Sequence, residues 1–115
     1  MPDVVSPHVV LLTLPLEHVL VFGAALFAIG MYLALAKRNA VGILMGVELM
    51  MNAVNVTLLA FSRYVNAERP IDGQVFATFV ITVAAAEAAV ALALVVAIYR
   101  HRETVNIDEI DVLRW

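Results

Sequence analysis

Long apolar runs alternate with short charged breaks along this chain. Residues 19–36 carry no charge, and Lys37-Arg38-Asn39 ends that run. Residues 40–62 then carry a single charge, Glu48, before Arg63, Glu68, Arg69 and Asp72 gather in one stretch. From Gly73 to Tyr99 the only charge is Glu87. A bilayer core of about 30 Å is crossed by about 20 helical residues at 1.5 Å each. The pattern therefore predicts an all-α membrane protein with three transmembrane helices over about 16–36, 40–62 and 74–99. These form one membrane domain, 1–115, with residues 1–14 as an N-terminal extension and 100–115 as a cytoplasmic tail.

Local signals set the boundaries. Pro15-Leu16-Glu17-His18 reads as a helix start, with a proline in the first turn and an acid near the positive end of the dipole. Gly23 and Gly30 are seven residues apart on one face of the first span, where another helix can approach closely. Gly42 and Gly46 form a GxxxG in the second span, a weak signal because glycine is common in membrane helices. Asn66, Pro70 and Gly73 are expected to break helix, making residues 63–72 a loop. The arm before Pro15 lacks a basic region and a small-residue cleavage site, so a cleavable signal peptide is not expected.

Lysine and arginine positions orient the spans. Lys37 and Arg38 share one side of the membrane with Arg100, Arg102 and Arg114, whereas Arg63 and Arg69 face the other. The bias predicts an outside N-terminus and an inside C-terminus.

An acid at mid-membrane costs roughly 2.5 kcal/mol or more and asks for a function. Glu48 falls about 4 Å, and Glu87 about 2 Å, from the midpoints of their runs. With antiparallel spans the two sit about 14 Å and 18 Å from the same membrane edge, so nearly at one level. On neighbouring helices about 8–10 Å apart, one or two waters would connect them. Such a pair suits a proton relay, since buried carboxyls can take up and release protons with small driving forces. Glu48, Asn52, Asn55 and Ser62 share a helix face, and a polar stripe of this kind must meet protein or water. Asn52 and Asn55 read first as interhelical glue, and a membrane glutamate can itself be a structural hydrogen-bond partner. Lys37 and Arg38 read as topology determinants, and His18 as an interfacial residue.

Composition narrows the alternatives. Of the 115 residues, 63% are hydrophobic and 15% charged, more apolar than a soluble domain of this size can bury. The mean hydropathy is +0.95. A net charge of -3 gives no reason to expect nucleic-acid binding. With no cysteine, thiolate metal sites and cysteine nucleophiles are excluded, and His8, His18 and His101 are too scattered to form a metal site.

The run Lys37-Arg38-Asn39, followed by Met45-Gly46-Val47-Glu48-Leu49-Met50-Met51-Asn52-Ala53, resembles the second helix of subunit K (4L-type) of NADH-quinone oxidoreductase, respiratory complex I. Asp72-Gly73-Gln74-Val75 with Ala84-Ala85-Ala86-Glu87-Ala88 resembles its third helix, and Asn106-Ile107-Asp108 the start of its tail. The fourteen residues before Pro15 exceed the family's usual start.

The resemblance implies a non-redox, proton-translocating subunit of the membrane arm, beside subunits of the A, J and N types. It implies that Glu48 and Glu87 carry the protons, with Lys37, Arg38, Asn52 and Asn55 in support. NADH, FMN, iron–sulfur clusters and quinone would bind other subunits, leaving no cofactor in this chain. The implied location is the bacterial inner (plasma) membrane or an equivalent energy-converting membrane. The nearest alternative is the small C-type subunit of a multisubunit cation/proton antiporter. A small multidrug exporter would need four spans, and a purely structural assembly subunit would need neither carboxyl.

Overall fold

A computed structural model of the chain describes residues 14–65 and 70–111. The expected extension up to Thr13, the end of the tail with Arg114, and Arg69 lie outside the described residues. The described residues form three α-helices: α1 (Leu16–Ala36), α2 (Ala40–Tyr64) and α3 (Pro70–Arg102). All three are long and apolar enough to cross a membrane.

The first helix begins where its sequence signals place it. Extended Pro15 precedes it, Glu17 lies in its first turn, and extended Lys37 ends it. Asn39 caps α2, its side-chain oxygen accepting from the Val41 N–H at 2.8 Å. That helix runs to Tyr64, with Arg63 in its last turn.

The expected loop is shorter than its sequence suggests, because Pro70 and Gly73 belong to α3. Proline suits a first turn, where its missing N–H would have no helical partner anyway. Gly73 lies against Ser62 of α2 so closely that a Cβ there would collide with the serine side chain. It is a contact residue, not a breaker. At the other end Arg100, His101 and Arg102 lie in the last turn, favourable at the negative end of the dipole. Glu103 then stops the helix with φ 57, in the left-handed region.

The helices pack as a row with α2 in the middle, α1 on one side and α3 on the other. Small residues line both seams. Gly23 and Gly30 of α1 are buried, as are Gly46, Ala53 and Ala60 of α2. A Cβ on Gly30 would stand 2.7 Å from the Gly46 carbonyl oxygen, and one on Gly46 would stand 2.7 Å from the Gly30 oxygen. Thr57, whose hydroxyl donates to the Ala53 carbonyl at 3.0 Å, faces Gly23. Gly42 does not join this contact and instead lies under the aliphatic stem of Lys37.

The buried apolar residues among those described are Ala53, Ala60, Ala77 and Ala84, while Phe22, Phe27, Phe76 and Phe79 point outward. This inverts a water-soluble core. It is what a bilayer or neighbouring membrane helices allow, since lipid solvates large apolar side chains and small ones bring backbones together.

Candidate functional site

Glu48 is half-buried on α2 in a groove that opens between α2 and α3. Met45, Leu49 and Asn52 line its α2 wall, and Ala88, Ala89 and Leu92 its α3 wall. Ala88 is the neighbour of Glu87, so the two carboxyl-bearing residues stand at one level, as the antiparallel spans imply.

They do not share a groove. Glu87 is exposed and borders a separate hollow on α3 with Val83, Val90 and Leu94. Helical geometry explains this. Among the described residues of α3, Ala77 and Ala84 are buried and mark its α2-facing side. At about 100° per residue, Glu87 lies ~60° to one side of Ala84, and Leu92 ~80° to the other. Glu48 and Glu87 therefore open on opposite faces of the row, with the α2–α3 seam between them. Among the described residues the two carboxyls line separate hollows rather than one shared pocket.

Asn52 is exposed on the rim of the Glu48 groove, one turn from the carboxylate. Asn55 is buried, and among the described residues neither its side-chain oxygen nor its nitrogen has a hydrogen-bond partner. Among those residues neither Glu48 nor Glu87 has an ion-pair partner.

The family model for NADH-ubiquinone/plastoquinone oxidoreductase chain 4L matches residues 18–115. The chain belongs to the chain 4L family. A subunit K of NADH-quinone oxidoreductase from Geobacillus is 56% identical over 102 residues, covering 89% of this chain and 97% of the relative. A subunit 4L of NAD(P)H-quinone oxidoreductase from Synechocystis is 54% identical over 102 residues, covering 89% and 98%. A subunit K from Desulfitobacterium hafniense is 54% identical over 100 residues, covering 84% and 91%. The family match extends through all three helices.

In this 4L-family chain Lys37 and Arg38 stand apart from the carboxyl level, at the α1–α2 turn. There the chain pairs with its own tail. Asn39 and Asn106 form an antiparallel bridge. The Ala40 N–H donates to the Val105 carbonyl and the Ile107 N–H to the Arg38 carbonyl, each at 2.9 Å. Arg38 Nε lies 3.3 Å from Asp108 Oδ2, and a short 3-10 turn, Ile107–Glu109, follows. Spacing along the chain assigns Arg38 no partner. Only the acidic character of the tail hinted at one, since no periodicity links residues so far apart. At the opposite end of the row the Tyr64 hydroxyl donates to the Leu14 carbonyl, and the Arg63 guanidinium lies 5.7 Å from the Tyr64 ring centre.

Proposed function

We propose that this chain, as a 4L-type subunit of an NADH-quinone oxidoreductase, carries protons through Glu48 and Glu87 in the membrane arm. The observation that carries the reading is the pair of carboxyl residues at one level of the row, each opening on a different face. An acid in hydrocarbon is costly, so each carboxyl must meet water or protein there. On this reading Glu48 is served from the α2–α3 groove, and Glu87 by groups that a neighbouring subunit brings to the outer side of α3. Two proton sites on opposite faces of one thin subunit suit a link between flanking subunits. Protons then pass from one neighbour to the next, and the A, J and N types are the expected neighbours.

Redox chemistry belongs to other subunits, which hold NADH, FMN, iron–sulfur clusters and quinone. Lys37, Arg38, Arg100 and Arg102 gather at one end of the row, which favours that end inside a bacterial plasma membrane or its equivalent. The N-terminus then lies outside.

The test is Glu48→Gln and Glu87→Gln in assembled complex, checked on native gels, with quinone reduction and proton pumping measured in membranes. Loss of turnover and pumping in assembled enzyme is expected. Normal pumping in both variants would overturn the reading and leave a structural role.

A further inference from the structure

The groups that face α3 from α2 follow one line. Glu48, Asn55 and Ser62 are seven residues apart, so each step along the helix is about 10.5 Å. Ser62 lies against Gly73, and Glu48 shares its groove with Ala88 and Ala89. On that antiparallel register Asn55 stands level with the stretch of α3 between Ala77 and Ala84. Among the described residues of α3, those two alanines are the buried ones. The wall opposite the polar line is thus apolar, Ala77 and Ala84 with half-buried Val80 between them.

Asn55 is 4% exposed, and both its amide atoms are unpartnered among the described residues. An amide buried without hydrogen bonds costs on the order of 1–3 kcal/mol, so native structures satisfy such groups with protein or ordered water. That wall of α3 offers no side-chain donor or acceptor at Ala77, Val80 or Ala84. Ordered water is a partner that suits it, since an asparagine amide both donates to water and accepts from it.

We propose that Asn55 holds water in the α2–α3 seam and so gives Glu48 a wet route toward the end of the row that carries Arg63. The inference rests on the reading of Glu48 as a proton carrier and adds the direction in which its proton travels within this chain. Asn55 is a positioning residue: it orients water and keeps its own protons. A proton leaving the Glu48 carboxyl passes to one water, which releases another proton to the next, so no co-reactant is consumed. Ser62, buried one step further along, carries the same line toward the α2 terminus.

The experiment compares Asn55→Leu, similar in size but unable to hold water, with Asn55→Ser, smaller but polar. Both are made in the complete complex in membranes. We expect Asn55→Leu to lower quinone reduction and pumping by about tenfold or more. Reduction of a soluble artificial acceptor by NADH should stay unchanged, and Asn55→Ser should retain most of the activity. Parental pumping in Asn55→Leu, or equal loss in both assembled variants, overturns the proposal. If it fails while Glu48→Gln still abolishes pumping, the carboxyl reading stands without Asn55. Normal pumping in Glu48→Gln removes the carboxyl reading itself. A map of the unsubstituted complex that resolves waters decides the point even if a variant does not assemble. Water within about 3.5 Å of the Asn55 amide supports the proposal, and an amide bonded only to protein overturns it.

Discussion

Arg38 meets Asp108 across the join between the α1–α2 turn and the tail, 3.3 Å from nitrogen to oxygen. Both side chains are largely in solvent, 80% and 55% exposed. An ion pair in that setting contributes about 0–1 kcal/mol. The backbone bonds beside it are the stronger part of the clip. Asp108→Asn should therefore leave thermal inactivation of the complex nearly unchanged. Ile107→Pro removes the N–H that donates to Arg38, while Asn106 already has the extended backbone a following proline requires. It should lower stability by about 1 kcal/mol or more. Equal effects of the two substitutions would contradict this division.

The contact between Gly30 and Gly46 leaves no room for a methyl group on either side. Gly46→Val should separate α1 from α2 and reduce the amount of assembled complex, since overpacking typically costs about 1–3 kcal/mol. Gly42→Ala is the control from the same GxxxG. There the nearest atoms a new methyl would meet are Lys37 Cβ and Cγ, each at 3.2 Å, a milder contact than the 2.7 Å approach to backbone at Gly46. Native gels should show normal assembly for Gly42→Ala and little for Gly46→Val.

Orientation is directly measurable because the chain has no cysteine of its own. Val65 and Glu109 are exposed near opposite ends of the row. With Val65→Cys and Glu109→Cys made singly, a membrane-impermeant maleimide should label position 65 from outside the cell. It should label position 109 only in inverted vesicles. The reverse pattern would overturn the orientation drawn from Lys37, Arg38, Arg100 and Arg102.

How far the sequence reached depended on whether each position was marked by its own chemistry. Glu48 and Glu87 interrupt apolar runs, so their depth follows from counting residues, and the structure agrees that they share a level. The seven-residue spacing of Gly23 and Gly30 likewise predicts their burial. The direction of Glu87 was not readable, because α3 is apolar on every side and its alanines extend all round the carboxylate. Nothing but packing selects Ala77 and Ala84 as the inner face. Pro70 and Gly73 misled for a related reason: both residue types punctuate loops, yet both also serve a first turn or a tight helix contact. The pairing of Asn39 with Asn106 is long-range and leaves no periodic trace.

The middle helix carries two sets of contacts with the same repeat. Gly46, Ala53 and Ala60 recur every seven residues on one side, and Glu48, Asn55 and Ser62 on another. Facing and depth are therefore separable in this helix. Inserting one residue midway along α2 would turn everything beyond it by about 100° and misalign both seams together. Inserting seven near its start would restore both facings to within the roughly 20° drift of a straight helix. It would nonetheless carry Glu48 about 10.5 Å along the axis, away from the level of Glu87. The repeat tolerates such a slip, but the shared level of the two carboxyls does not, so the length of α2 before Glu48 is a functional dimension of its own.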